Sequence, residues 1–182
     1  MKIIETPLAG CVIIEPKVFG DSRGFFLEAW HQKKYHDIGI PTEFVQDNRS
    51  RSARNVLRGL HFQKKNPQGK LVSVISGEVF DVAVDLRLGS PSFGMHVGVI
   101  LSENKNNQIY IPPGFAHGFC VLSEYADFHY KCTDFYDSTD EGGIIWNDKE
   151  LNIQWPIDMP ILSPKDNELI SFSEFKKSIL SV

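Results

Sequence analysis

The sequence predicts an all-β fold made of many short antiparallel strands. Side chains in residues 78–86 alternate with a period of two, which is typical of a strand and not of a helix. Turn-forming residues at 77, 89–91, 104–107 and 112–114 separate this run from other short apolar runs, such as 97–101 and 108–111. A sheet of this kind leaves fewest exposed edges as a sandwich or a closed barrel.

Helical patterns occur only towards the two ends of the chain. The first runs from Trp30 to Ile38 and is ended by Gly39 and Pro41. The second begins with a capping box, in which Ser171 is followed three residues later by Glu174. We expect both helices to be peripheral, and we expect the segment after about residue 151 to be a tail that packs on the barrel.

Length and composition restrict the class of protein. A chain of 182 residues suits one domain, residues 1–182, with a sizeable core. The net charge of −4 argues against a nucleic-acid partner, which normally requires a basic surface. No apolar run has the length of a signal peptide or a membrane span, so a cytoplasmic location without membrane contact is expected. The three cysteines have no CxxC spacing, which favours neither disulfides nor a thiolate metal site.

One histidine motif raises the question of a metal. Residues 112–117 place Pro112, Gly114 and His117 in a pattern that resembles the second motif of the cupin superfamily, where the histidine is often a metal ligand. A metal cupin also needs ligands from an earlier strand, but His61 is followed there by Phe62 and Gln63. We therefore predict no metal site, and keep a metal-dependent cupin enzyme as an alternative.

Runs along nearly the whole chain resemble one family. They are residues 19–28 (FGDSRGFFLE), 46–48 (QDN), 57–63 (LRGLHFQ), 69–72 (GKLV), 81–87 (DVAVDLR), 111–119 (IPPGFAHGF), 130–131 (YK), 146–148 (WND), 155–156 (WP) and 162–166 (LSPKD). In this order they are similar to the dTDP-4-dehydrorhamnose 3,5-epimerase family. The resemblance implies a cupin-type jelly-roll β-barrel with short peripheral helices in the N- and C-terminal parts.

The resemblance also implies an activity that needs no cofactor. The implied substrate is dTDP-4-keto-6-deoxy-D-glucose, and the product is dTDP-4-keto-L-rhamnose for deoxysugar and cell-surface polysaccharide synthesis. One alternative is an epimerase that inverts only C3 or C5 of a related nucleotide sugar. Another is a module that binds a nucleotide sugar without catalysis.

Inversion next to a ketone requires a base, a group that stabilises the enolate, and an acid on the opposite face. An imidazole, with an ordinary pKa of about 6.5, suits the base, and positioned proton transfer typically contributes about 10²- to 10⁴-fold. The resemblance assigns the base to His61 and its orienting carboxylate to Asp166. It assigns the enolate-stabilising cation to Lys70 and the acid to Tyr130.

Structural explanations exist for the same residues. Residues 163–166 also resemble a helical turn, with Ser163 as its N-cap and Asp166 in the first turn. Tyr130 could be a packing residue, although alternation places it on one face with Ala126 and Phe128, and Tyr136 is a second candidate acid. The histidines and basic residues of the motifs could be core or surface residues with no catalytic role.

Strict alternation also places Arg58 and His61 on opposite faces of their strand, although the resemblance brings both to the substrate. We therefore expect a β-bulge at Gly59, which would re-aim one of the two side chains.

Nine further positions match substrate-binding residues of the family. They are Arg23, Glu28, Gln46, Asp47, Asn48, Arg58, His117, Glu141 and Lys165. An arginine can grip two oxygens of a diphosphate with its planar fork, which suits an acidic protein that must capture an anion locally. In the family the segment that carries Arg23 and Glu28 can reach the neighbouring subunit's site, so the resemblance implies a homodimer.

Overall fold

A computed structural model describes residues 1–40 and 43–180, which form thirteen strands and three short helices. The strands are β1 (Lys2–Glu5), β2 (Val12–Glu15), β3 (Val18–Asp21), β4 (Gly24–Leu27), β5 (Gln46–Ala53), β6 (Leu57–Gln63), β7 (Lys70–Ser76), β8 (Glu78–Asp85), β9 (His96–Ser102), β10 (Gln108–Ile111), β11 (Phe115–Val121), β12 (Tyr125–Cys132) and β13 (Glu141–Gly143). The helices are α1 (Gln32–His36), α2 (Pro164–Asn167) and α3 (Phe172–Leu180). The predicted all-β fold is confirmed.

Two antiparallel sheets form the body of the molecule. One has six strands in the order β1-β2-β10-β7-β12-β5, and the other has five in the order β13-β6-β11-β8-β9. Their facing sides share a core that includes Val72 and Phe128 from the first sheet and Val79 and Ala83 from the second. The arrangement is the expected jelly roll, because crossovers between the sheets place sequence-distant strands side by side.

The outer face of the five-stranded sheet is covered by the C-terminal tail. Leu151, Phe172 and Phe175 are buried against Phe62, and the rings of Phe62 and Phe175 lie 5.2 Å apart. Alternation along β6 therefore separates Phe62, on this covered side, from its neighbour His61. The prediction that the tail packs on the barrel is confirmed.

The helices are peripheral, as predicted, but the first is shorter than expected. The Ser171 N–H donates to Glu174 Oε2 at 2.8 Å and the Glu174 N–H donates to Ser171 Oγ at 3.2 Å, which is the predicted capping box of α3. Helix α1 begins only after His31, whose ring accepts the N–H of Lys34. Gly39 follows it with φ of 82°, a backbone conformation that ends helices, whereas Pro41 lies outside the described residues.

A bulge interrupts β6 where it was predicted. His61 lies opposite His117 and Arg58 lies opposite Phe119, so two residues of β6 face the single residue Gly118. Gly59 has φ of 114°, and a Cβ atom there would stand 2.6 Å from the Gly118 Cα atom. Position 59 therefore requires glycine. The bulge brings Arg58 and His61 to the same side of the strand, where both line one cavity.

Strands β3 and β4 form a separate hairpin outside the two sheets. Three phenylalanines on it are exposed, with Phe19, Phe25 and Phe26 retaining 52%, 64% and 69% of their accessible surface. Exposed aromatic residues this close together are unusual on a surface that faces only water. Among the described residues, no helix is long and apolar enough to cross a bilayer.

Candidate active site

A cavity of about 530 Å³ opens between the two sheets. The five-stranded sheet contributes Arg58, His61 and His117, and the six-stranded sheet contributes Lys70 and Tyr130. The remaining lining residues come from β5, from the start of β6 and the residue before it, from β11 and β12, and from α2 with the segment before it. They are Asn48, Arg49, Ser50, Val56, Leu57, Gly118, Phe119, Phe128, Ile161, Leu162, Ser163, Lys165 and Asp166.

His61 and Asp166 form a hydrogen-bonded pair in the wall of this cavity. The distance between His61 Nε2 and Asp166 Oδ1 is 2.5 Å, and the histidine side chain remains 31% exposed while Asp166 is buried. Ser163 Oγ donates to the second carboxylate oxygen of Asp166 at 2.8 Å and accepts the backbone N–H of Asp166 at 3.0 Å. The carboxylate is therefore held in one orientation against Nε2 of the His61 ring.

The predicted structural role of Asp166 and its predicted site role coexist. Ser163 is the N-cap of α2 with Pro164 in the first turn, as the helical-turn interpretation required. Burial alone would raise the pKa of Asp166, but the hydrogen bonds from His61 and Ser163 outweigh burial and hold the pKa below its usual value. The cap thus supplies an ionised carboxylate beside His61.

Tyr130 and Lys70 face His61 from the other sheet. Tyr130 packs against Phe128 and the inner core, which agrees with the predicted inward face of β12. Burial raises the pKa of Tyr130 to about 12, so the phenol keeps its proton at neutral pH. The Lys70 ammonium lies 5.9 Å from the centre of the Tyr130 ring, and burial lowers the pKa of this lysine.

His117 lines the cavity beside His61, and its ring binds the buried carboxylate of Asp81. Its Nε2 lies 2.9 Å from Asp81 Oδ2, and both residues are buried. Burial lowers the pKa of His117, against the opposing effect of Asp81. Each of the two site histidines therefore binds its own carboxylate. No group of three or more His, Cys, Asp or Glu side chains in the described parts of the chain is arranged to hold a metal ion, and the use of no metal stays a prediction.

The family comparison agrees with this geometry. The model of the dTDP-4-dehydrorhamnose 3,5-epimerase family matches residues 5–174. The chain belongs to this family. It is 55% identical to the dTDP-4-dehydrorhamnose 3,5-epimerase of Shigella flexneri over 168 residues, covering 91% of this chain and 93% of the relative. It is 54% identical to the enzyme of that name from Pseudomonas aeruginosa over 176 residues, which cover 96% and 97% of the two chains.

A solved family member has the same fold. The crystal structure of the dTDP-6-deoxy-D-glucose-3,5-epimerase of Legionella pneumophila, in complex with dTDP-4-keto-L-rhamnose, superposes with a TM-score of 0.94. It is 53% identical in sequence, and the match covers 98% of this chain and 96% of the other.

The rim of the cavity holds several of the substrate-binding residues that the family resemblance predicted. Asn48 lines the cavity and accepts a hydrogen bond from Gln46 Nε2 at 3.0 Å. Lys165 also lines it and is ion-paired with Glu141. The Tyr136 hydroxyl donates to Glu141 at 2.6 Å and does not line the cavity, which favours Tyr130 over Tyr136 as the acid.

Five predicted substrate-binding residues do not line this epimerase-family cavity. Gln46 and Glu141 contact its lining residues Asn48 and Lys165, whereas the other three have partners elsewhere. Asp47 is on the opposite side of β5, where its carboxylate accepts hydrogen bonds from Lys131 at 3.0 Å. Arg23, on the turn of the exposed β3–β4 hairpin, binds Asp21 at 2.5 Å, and Glu28, just after β4, binds Lys34 at 2.7 Å. Within one chain, none of the three side chains lines the cavity.

The sequence interpretation missed three residues that the structure places in or behind this epimerase-family site. Arg49 lines the cavity and was hidden by its position directly after the 46–48 motif. Ser163 was recognised only as a helix cap. Asp81 lies in the family-like run 81–87, but the sequence did not single it out, because its contact with His117 depends on the pairing of β8 with β11.

Proposed function

We propose that this protein epimerises both C3 and C5 of dTDP-4-keto-6-deoxy-D-glucose and forms dTDP-4-keto-L-rhamnose, a precursor for deoxysugar and cell-surface polysaccharide synthesis. One observation carries the proposal: the His61–Asp166 pair and Tyr130 enter a single cavity from opposing sheets. A base and an acid on opposite sides of one ring are what inversion of configuration requires. Family membership and the sugar nucleotide bound to the Legionella relative support the choice of substrate.

In the proposed reaction His61 removes the proton next to the C4 ketone. Asp166 stabilises the imidazolium that forms and holds the ring towards the cavity, because its carboxylate accepts from Nε2 at 2.5 Å. Negative charge then develops on the C4 oxygen. The Lys70 ammonium, which lines the cavity 5.9 Å from the centre of the Tyr130 ring, stabilises this charge.

Tyr130 completes the inversion by returning a proton to the opposite face. Its raised pKa, about 12, keeps the phenol protonated at working pH, and the apolar wall around it excludes competing donors. The Lys70 ammonium next to the ring stabilises the phenolate that remains after transfer.

The nucleotide end of the substrate is proposed to bind at the cationic side of the cavity. Arg58 and Lys165 line this side, although the chain as a whole carries a net charge of −4. Arg49 also borders the cavity, but its guanidinium binds Asp127. Arg58 Nε donates to Ser52 Oγ at 3.1 Å, and its terminal nitrogens are proposed to bind diphosphate oxygens. Asn48 and His117 also line the cavity, and Gln46 donates to Asn48 from beside it.

The test is proton exchange in deuterated water. We expect the protein, incubated with dTDP-4-keto-6-deoxy-D-glucose, to incorporate deuterium at both C3 and C5 and to invert both centres, as read by ¹H NMR. Exchange at one carbon alone would identify a single-site epimerase. Tight nucleotide binding without any exchange would identify a binding module, and loss of exchange after chelation would identify a metal-dependent enzyme.

We also propose that the protein is a homodimer in which the β3–β4 hairpin delivers Arg23 and Glu28 to the partner's cavity. Two observations support this: the two residues lie outside the cavity of their own chain, and the phenylalanines around them are exposed. A hairpin that packed on a second copy of the chain would cover those rings and complete the site. The predicted cytoplasmic location stays a prediction.

Subunit complementation tests this arrangement. We expect Arg23→Ala and His61→Asn each to be nearly inactive when expressed alone. When the two are co-expressed, about half of the dimers are mixed, and one of the two sites in each mixed dimer is intact. Co-expression should therefore restore about a quarter of wild-type activity. His61→Asn co-expressed with Asp166→Asn is the matched control and should restore nothing, because both residues come from the same chain. Absence of recovery in the first pair would contradict the exchanged hairpin.

A further inference from the structure

Asp81 differs from every other buried aspartate that the structure describes. The carboxylates of Asp85 and Asp127 bind arginines, and those of Asp140 and Asp148 accept two or more backbone N–H groups. Asp166 binds His61 and Ser163. Asp81 has 0% exposure and a single partner, His117, while its Oδ1 atom is buried without any hydrogen bond.

Such a group is costly for the fold. A buried carboxylate without a full set of donors loses hydration that is not replaced, and an apolar residue at the same place is often neutral or stabilising. Asp81 points into the shared core, next to Val79 and Ala83, where an apolar side chain would fit the surroundings. A role for Asp81 in the active site would explain its presence, because Asp81 lies directly behind His117 in the cavity wall.

The role concerns the charge of Lys70. This ammonium lines the cavity without a carboxylate ion pair in the described residues, and burial lowers its pKa. The groups that face it are Cys132, beside it in register on β12, Tyr130, His117, Asp81 and Glu141. Because burial favours the neutral amine, Lys70 needs a negatively charged group nearby if it is to stay protonated.

Only one of these groups supplies an uncommitted negative charge. Burial raises the pKa of the Cys132 thiol, so it is neutral at working pH, and burial likewise keeps Tyr130 protonated. Glu141 is already bound by Lys165 and Tyr136. Asp81 is bound by His117 Nε2 alone among the described residues, and burial lowers the pKa of His117, which favours its neutral form.

We propose that Asp81 is a positioning residue for the epimerisation: it is the buried counter-charge that fixes the proton of His117 on Nε2 and keeps Lys70 an ammonium during turnover. It acts through these two residues and does not line the cavity itself. The inference rests on the proposed function, because the charge on Lys70 matters only if an enolate forms in the cavity.

The test is the pH profile of Asp81→Asn, whose amide oxygen can still accept from His117. The reaction needs the ammonium, so the profile loses activity where Lys70 deprotonates, which occurs below the titration of Tyr130. Removing a nearby negative charge lowers the pKa of Lys70 further, and we expect the alkaline limb of kcat to move down by about one pH unit. The KM and the acid limb should stay near their wild-type values.

Cys132→Ser is the matched control, because it removes the other group that could carry a negative charge beside Lys70. Its alkaline limb should coincide with that of the wild type. An unchanged limb in Asp81→Asn, or an equal shift in Cys132→Ser, would overturn the proposal. If the wild-type protein shows no deuterium exchange, the proposed function fails, whereas exchange with a normal Asp81→Asn profile overturns only the role of Asp81.

A measurement on the wild-type protein decides the matter if Asp81→Asn does not fold. In ¹⁵N NMR of the histidine rings, His117 should be neutral with its proton on Nε2 across the neutral to alkaline interval in which the enzyme is active. An imidazolium at His117 in that interval would cancel the charge of Asp81 and overturn the proposal.

Discussion

His61→Asn should lose deuterium exchange at both C3 and C5, with kcat reduced by about 10³-fold. Asparagine can still accept or donate a hydrogen bond near Asp166, but it cannot take a proton at neutral pH. His117 also lines the cavity, but it is buried with its Nε2 bound to Asp81, and His61 is the proposed base for both carbons. The same substitution should therefore stop both inversions. The measurement is ¹H NMR of the substrate in deuterated water, with quenched time points for the rate.

His36→Asn is the matched control, because His36 lies at the end of α1, is exposed and does not line the cavity. It should retain wild-type exchange. Circular dichroism and the free energy of unfolding should show that His61→Asn remains folded. Exchange that persists at either carbon in a folded His61→Asn protein would mean that a second base serves that carbon.

Tyr130→Phe should separate proton removal from inversion. The base remains, so deuterium should still enter from the side of His61, but the opposite face has lost its donor. We expect the rate of inversion to fall by about 10²-fold or more while exchange with retained configuration continues. Product stereochemistry and deuterium content, measured by NMR on the same sample, distinguish the two processes.

The variant Tyr136→Phe addresses the other tyrosine near the site. Tyr136 donates to Glu141 and does not line the cavity, so inversion should continue in its absence. If Tyr136→Phe stopped inversion and Tyr130→Phe did not, the assignment of the acid to Tyr130 would be wrong.

Local patterns predicted much of the fold because they report local physics. The capping box at Ser171 and Glu174 depends on atoms three residues apart, and it forms as expected. The bulge at Gly59 followed from a conflict between alternation and two motif residues on one strand, and the register of β6 against β11 confirms it. The length of α1 was overestimated, because Trp30 packs on Tyr35 and Phe44 from outside the helix.

The candidate site was predicted through resemblance more than through pattern. Alternation could place Tyr130 on an inward face, but it could not show that the face meets His61 from another sheet. Asp166 illustrates the limit: sequence favoured either a helix cap or a partner of the base, and the structure shows both at once.

By itself, the sequence determined the strand periodicity, the capping box of α3, the β-bulge and the family, because each depends on neighbouring residues or on ordered motifs. Only the tertiary structure decided which side chains share a cavity, which carboxylate holds which histidine, and that Asp81 is buried with one partner. Those relations join residues 36 to 105 positions apart. Contacts over such separations arise from the pairing and packing of sheets, which no local pattern records.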